Sequence, residues 1–332
     1  MSDVCVLGTG AWGTTFATVI ADGGRDCLLW GRSEDTVADI NTRHQNSSRL
    51  PGFVLPDRIT ATTDLTAAVA EASVVVVALP SQTARTVLAR IPHLAPDVTV
   101  VSLMKGVELA TDMRMSQMLA DVLPISAEQV VVVSGPNLAK EIAAKQPTAT
   151  VMAGADPQRA QAIATMCITD YFRPYTNSDV IGVELGGAVK NVIAIAVGMA
   201  AGAGYGDNTK ATLITRGLAE ITRLAITLGA EPATMAGLAG MGDLVATCAS
   251  PLSRNHTFGA HLGRGLSVDE AIVATGGTVE GAKTCQSVLE LARAHQVDMP
   301  LTEAVVAAVH HGLKLRAMES MLLSRPHKDE RA

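Results

Sequence analysis

Aromatic residues are scarce in this chain: Phe, Trp and Tyr together make up 3% of it. Its interior must therefore be packed from Ala, Val, Leu, Ile and Met, and a hydrophobic fraction of 48% is enough for sizeable cores. Basic blocks are missing too, and the formal net charge is −6. A nucleic-acid-binding surface needs clustered positive charge. No nucleic-acid partner is expected, and any anionic ligand must be met by local cations. Cys5, Cys27, Cys167, Cys248 and Cys285 form no Cys-x-x-Cys pair and read as free, mostly buried thiols. The histidines show no His-Glu-x-x-His spacing, and His310 and His311, adjacent on an expected helix, point in different directions. No metal is expected.

No basic region followed by an apolar segment opens the chain, so no secretory leader is expected. The longest apolar, uncharged run, 191–206, holds an Asn and several glycines and is too short to span a bilayer. These exclusions point to a cytoplasmic protein without an integral membrane segment.

What is present begins at Gly8-Thr9-Gly10-Ala11-Trp12-Gly13, between the apolar run Val4-Cys5-Val6-Leu7 and an amphipathic stretch from Thr14. Glycines with this spacing, at the end of a strand and the start of a helix, fit a dinucleotide site. Gly8 serves the tight turn, Gly10 lets a pyrophosphate approach the backbone, and Gly13 lets helix and strand pack closely. The free N–H groups of the helix start then face the phosphates. An ordinary strand–helix turn is the competing reading. About 20 residues on, NAD sites place an acid that binds the ribose 2′-hydroxyl. Here the second strand ends in Trp30-Gly31-Arg32-Ser33, without an acid. Arg32 offers a cation to a 2′-phosphate, so NADPH is favoured over NADH.

At 332 residues, two domains are expected. Candidate strands are 3–7, 26–30, 58–61, 73–78, 98–102, 130–134, 148–153 and 171–175. Helical patterns such as 83–90 and 157–167 lie between them. Continuous apolar runs such as Val74-Val75-Val76-Val77 suit strands covered on both faces. The alternation gives an α/β fold: an N-terminal Rossmann-type, doubly wound and mostly parallel sheet over 1–180. From there the patterns 179–201, 208–228, 268–274, 279–295 and 300–311 make an all-α C-terminal domain over 181–323, followed by a flexible polar tail, 324–332.

Lys190 is the most suspicious single residue. It sits in Gly186-Gly187-Ala188-Val189-Lys190-Asn191-Val192-Ile193, a helix apolar all round, and Glu184 is too far along to be its i,i+4 partner. A buried lysine has a depressed pKa, suited to a general base for an alcohol proton; a lysine snorkelling to solvent fits the pattern equally well. Lys105 follows the strand 98–102, where open α/β sheets bind ligands. Ser134-Gly135-Pro136-Asn137 follows another strand and either offers N–H groups to an anion or turns the chain. Ser253-Arg254-Asn255 presents a hydroxyl, a guanidinium and an amide, a set that matches a phosphate or makes a helix cap with a surface arginine. Asp243, after Gly240-Met241-Gly242, is an orienting carboxylate or a turn residue.

From Gly8 to about Ser320 the chain closely resembles the bacterial NAD(P)-dependent glycerol-3-phosphate dehydrogenases, through GTGAWGT, SLMKGVE, SGPNLAKEI, ELGGAVKNVIAIAVG, NTKATLITRGLAEI, GLAGMGDLVATCASPLSRN and VEGAKT. The resemblance implies reversible hydride transfer between NAD(P)H and a small phosphorylated triose, dihydroxyacetone phosphate. The product, sn-glycerol 3-phosphate, is a precursor of glycerophospholipids, and the assembly implied is a homodimer. By the same resemblance Lys190 is the proton acceptor and donor, and Lys105 touches substrate and cofactor. Gly135, Asn137, Asp243, Ser253, Arg254 and Asn255 line the substrate, with Arg254 also near the cofactor. Ala11, Trp12, Arg32, Ser33, Ala139, Thr278 and Glu280 contact the cofactor. Where the family often has Ser or Thr, this chain has Asn137, whose hydrogen bond would come from an amide. Ala11 often has a Ser counterpart, Thr278 a Val, and Ser33 a basic one, which weakens the expected 2′-phosphate clamp. Alternatives are a β-hydroxyacid dehydrogenase acting on a carboxylate substrate, a nucleotide-sugar dehydrogenase needing an activated cysteine, and a non-catalytic NADPH sensor.

Overall fold

The computed structural model describes residues 3–277, 279–314, 316–318 and 324. Its strands are β1 (Val4–Leu7), β2 (Cys27–Trp30), β3 (Ile59–Thr62), β4 (Val74–Val77), β5 (Thr99–Ser102), β6 (Val130–Ser134), β7 (Thr148–Gly154) and β8 (Phe172–Asn177). They form one sheet in the order β3-β2-β1-β4-β5-β6-β7-β8. Neighbours pair in parallel except β6 and β7, which run antiparallel. Helices α1 (Ala11–Asp22), α2 (Glu34–Arg43), α3 (Leu65–Val69), α4 (Ser81–Leu88), α5 (Met115–Val122), α6 (Ala139–Ala143) and α7 (Pro157–Met166) fill the connections.

The valine run of β4 explains how the sheet is covered. Val75 and Val77 join Cys5 and Leu7 in one core, whereas Val74 and Val76 join Val4 and Val6 in a second core on the opposite face. Alternate side chains of a strand point to opposite faces. All four must therefore be apolar, each worth about 1.5–3 kcal/mol when fully buried.

After β8 the chain is helical: α8 (Val180–Gly202), α9 (Asp207–Thr227), α10 (Pro232–Ala236), α11 (Asp243–Ala249), α12 (Arg254–Gly263), α13 (Val268–Thr275), α14 (Glu280–Ala294) and α15 (Pro300–His311). A single π-helical turn, Leu238–Gly242, precedes α11. The side chain of Asp179 opens α8 by accepting the Gly182 N–H (2.8 Å). Among the described residues α8 alone is long and apolar enough to cross a membrane, with mean hydropathy 1.8, yet 89% of that window is buried in the protein. Helices α9, α10, α11, α12, α14 and α15 all pack against it. Small residues allow α12 to approach closely: a Cβ added at Gly198 would lie 2.1 Å from the His256 carbonyl oxygen, and one at Gly259 2.2 Å from that of Ile195. The scarcity of aromatics is met here by backbone proximity. Most of the expected tail, 325–332, lies outside the described residues.

Candidate active site

The order of the sheet reverses between β1 and β4, the place where such folds open a crevice at the strand carboxyl ends. Gly8 sits there with φ of +124°, and a Cβ on it would lie 2.5 Å from the Ala78 carbonyl oxygen. At Gly13 a Cβ would come within 2.2 Å of the Gly8 carbonyl oxygen, so loop and helix touch there. Around Gly10, its chain neighbours aside, no atom of the described residues lies within 4 Å of an added Cβ. The loop thus leaves an open cradle where a pyrophosphate would sit. Among the described residues no side chain caps α1, whose first residues are Ala11, Trp12 and Gly13, so its first N–H groups can receive an anion. The indole Nε1 of Trp12 is buried without a partner.

Arg32 is exposed and makes no hydrogen bond or ion pair among the described residues. Beside it the Ser33 hydroxyl oxygen accepts the Thr36 N–H (3.2 Å), capping α2. Ala139 heads α6, and its carbonyl takes the hydroxyl of Thr15 (3.2 Å), joining α6 to α1. These groups fit a dinucleotide and can accept a 2′-phosphate. Thr278 lies outside the described residues.

Lys190 is 6% exposed, so burial and not snorkelling describes it. Its ammonium donates to Asp243 Oδ1 and to Thr247 Oγ1 (2.7 Å). Lys105, arriving from the end of β5, donates to Asp243 Oδ2 (2.6 Å) and to the Gly135 carbonyl (3.2 Å). Asp243 is not a turn residue: it is the first residue of α11, 1% exposed, and it divides its two oxygens between two lysines. The π turn puts it there, since a Cβ on Gly186 of α8 would lie 2.5 Å from the Ala239 carbonyl oxygen. Loss of water pushes the Lys190 ammonium down to about 7; Asp243 opposes that shift and the Lys105 charge adds to it. An amine titrating near neutrality can give or take a proton at working pH.

Ser253, Arg254 and Asn255 stand together at the start of α12. The Ser253 hydroxyl oxygen accepts the His256 N–H (3.3 Å), realising the helix cap. Arg254 follows at the helix start, exposed, with no hydrogen bond or ion pair among the described residues. Asn255 Oδ1 accepts the Gly281 N–H (2.9 Å) and so stitches α12 to α14. Glu280 opens α14; burial raises its carboxyl, against the pull of Arg254, Lys105 and Lys190. One electrostatic field therefore spans all four groups.

One Asn137 N–H donates to Thr150 Oγ1 (2.9 Å), whose own proton goes to the Ser134 carbonyl (3.0 Å). Its carbonyl Oδ1 is buried with no partner among the described residues, and the amide keeps a second N–H, so Asn137 can offer an acceptor or a donor to a ligand. Thr247 was not singled out at all. Its signal is the i,i+4 spacing from Asp243, visible only once 243–249 is read as helix. Cys248 is held up to about 12, chiefly by burial, which argues against an activated cysteine.

The family models described as the NAD-dependent glycerol-3-phosphate dehydrogenase N-terminus and C-terminus match residues 3–160 and 179–320. Over 327 residues the chain is 57% identical to a glycerol-3-phosphate dehydrogenase (NAD(P)+) of Streptomyces griseus, covering 98% of this chain and 97% of that one. A protein of the same name from Thermobifida fusca is 57% identical over 333 residues, covering 100% and 99%. The crystal structure of a Coxiella burnetii glycerol-3-phosphate dehydrogenase superposes with a TM-score of 0.93 at 36% identity, covering 98% and 99%.

Proposed function

Because the chain belongs to the family of NAD-dependent glycerol-3-phosphate dehydrogenases, we propose that its substrate exchanges a proton at the Lys190–Asp243–Lys105 cluster. The protein is an oxidoreductase: it reduces dihydroxyacetone phosphate reversibly to sn-glycerol 3-phosphate with NADH or NADPH. A bound nicotinamide coenzyme supplies the hydride.

The chain's own residues do the rest. Lys190, protonated for reduction, donates its proton to the ketone oxygen as that oxygen gains charge. Asp243 and Thr247 fix the direction of its N–H bonds. Lys105, held on Asp243 and the Gly135 carbonyl, adds a second positive charge beside the oxygen. Burial then favours the neutral amine that donation leaves behind. Acid–base help of this kind is worth about 10²–10⁴ in rate, and orientation adds to it.

Arg254 and Asn255 hold the substrate phosphate at the α12 start that Ser253 caps. Asn137 Oδ1 accepts a substrate hydroxyl. Gly8, Gly10, Ala11, Trp12 and Gly13 receive the coenzyme pyrophosphate. Arg32 and Ser33 receive the 2′-phosphate, which favours NADPH. Ala139, Thr278 and Glu280 complete the coenzyme contacts. We also place the protein in the cytoplasm as a homodimer; five buried, unpaired cysteines agree with a reducing compartment.

The observation that carries the reading is one buried carboxylate gripped by two lysines, one from the sheet half and one from the helical half. The test is NADPH oxidation with dihydroxyacetone phosphate, set beside NADP reduction with 3-hydroxyisobutyrate. Turnover is expected with the first alone; turnover with the second alone would move the chain to the β-hydroxyacid class.

A further inference from the structure

Glu184 stands on the same helix as Lys190, yet its partners lie in the sheet half. Its Oε2 accepts Arg114 Nη1 (2.5 Å) and the Ser116 hydroxyl (2.6 Å), and its Oε1 accepts the Ser116 backbone N–H (2.7 Å). Glu184 is 7% exposed, so this carboxylate is a charged bridge with its bonds largely screened from water. Arg114 also closes a hairpin. It pairs with Val107 in an antiparallel bridge, and the Glu108 N–H donates to the Met113 carbonyl (2.9 Å). The hairpin tip carries Ala110 and Asp112 with φ of +70° and +54°, a conformation disfavoured for residues with a Cβ that persists only where the surroundings hold it.

Val107 is itself shared between the halves. Its side chain belongs to the core built by Leu185 and Val189 of α8, while its carbonyl accepts Gln82 Nε2 (2.8 Å) of α4 and the Ser287 hydroxyl (2.9 Å) of α14. Lys105 stands two residues before Val107. A continuous physical path therefore runs from Glu184 through Arg114 and Val107 to Lys105, while Glu184 and Lys190 share one rigid helix.

We infer that Arg114, Ser116 and Glu184 form a positioning latch that holds the 107–114 hairpin, and through it Lys105, in register with Lys190 on Asp243. This rests on the reading of Lys190 as proton donor. The latch would act through Lys105 and not on the reacting atoms themselves. Its effect is to fix where the second positive charge stands relative to the first.

The test is the pH dependence of kcat for dihydroxyacetone phosphate reduction in Glu184→Gln, Arg114→Lys and Lys105→Ala, and in the Glu184→Gln/Lys105→Ala double variant. Groups bearing on Lys190 are Asp243, Thr247 and Cys248 of α11, Lys105, and Glu280 of α14. Of these, the latch governs Lys105 alone. Glu184→Gln is expected to lower kcat about 10- to 100-fold, the scale of a small misplacement, with the NADPH KM nearly unchanged. Its alkaline limb should move upward, because Lys105 no longer presses on the Lys190 ammonium. Arg114→Lys, which keeps a cation on Glu184, should retain most of kcat, and in the Lys105→Ala background Glu184→Gln should move the limb no further. A normal kcat, a fall in kcat with an unmoved limb, or an equal displacement without Lys105 would each overturn the latch. If Glu184→Gln does not fold, Ser116→Ala, which keeps the ion pair, should give a smaller displacement in the same direction, and none would overturn it. Lys190→Ala separates the two ideas: normal turnover there removes the proton donor, whereas an inactive Lys190→Ala beside a wild-type-like Glu184→Gln removes only the latch.

Discussion

The ammonium of Lys190 lies on the carboxylate of Asp243, across 53 residues of chain and between α8 and α11. Neither residue reaches bulk water to any extent, so each is the other's main solvent. Removing Asp243 would leave two lysines facing each other without their shared counter-charge, whereas removing Lys190 would leave Asp243 paired with Lys105. With Lys190 as the proposed proton donor, Asp243 would both hold the amine and keep it ionised until a substrate oxygen takes the proton.

The sign of the pH dependence follows. Reduction needs the charged amine, so its kcat should be level below about 7 and fall above it. Oxidation of glycerol 3-phosphate needs the neutral amine, so its kcat should rise through the same range. Paired profiles in the two directions check this; limbs running the same way would remove Lys190 as the shared group.

Arg254 is exposed at the start of α12 and makes no hydrogen bond or ion pair among the described residues, so its truncation should cost little stability. Arg254→Ala is expected to raise the KM for dihydroxyacetone phosphate at least about tenfold, the scale of one charge-assisted hydrogen-bond pair. Steady-state kinetics read it directly, and an unchanged KM would contradict the phosphate assignment.

Arg32→Asp should favour NADH. An acid at this strand end binds the ribose 2′-hydroxyl and repels a 2′-phosphate. The ratio of kcat/KM for NADPH over NADH should fall; if it stays where it is in the parent, Arg32 does not read the 2′-phosphate.

Glu220 gives a stability prediction away from the site. Its carboxylate accepts the N–H groups of Leu301 (2.7 Å) and Thr302 (3.3 Å) at the start of α15, and burial lifts it from 4.5 to about 7. A carboxyl raised on folding contributes stability that is present below its unfolded value and lost as pH rises through the folded one. Between pH 5 and pH 8 the Tm of the parent should therefore fall more than that of Glu220→Gln. Equal falls would show that Glu220 does not titrate in this range.

Much of this architecture is legible in the sequence because it is local. Four valines in β4 state that both faces of the strand are covered, and the glycine spacing after β1 states where a helix begins against it. Lys190 is visible because no other charge shares its stretch of α8. What stays hidden depends on topology. Arg114 and Glu184 are 70 residues apart and meet only when the hairpin lies across α8. Thr247 escapes notice because Gly240 and Gly242 disguise the approach to α11 as a loop, where the chain in fact makes a π-helical turn. The orientation of Asn137 is decided by a Thr150 hydroxyl that no local pattern reveals.

The central claim meets its most direct test in Lys190→Ala, with kcat for dihydroxyacetone phosphate reduction and the NADPH Kd measured on the same preparation. The account predicts a loss in kcat of about 10²–10⁴ with NADPH binding close to that of the parent. Turnover at the parent rate would contradict it.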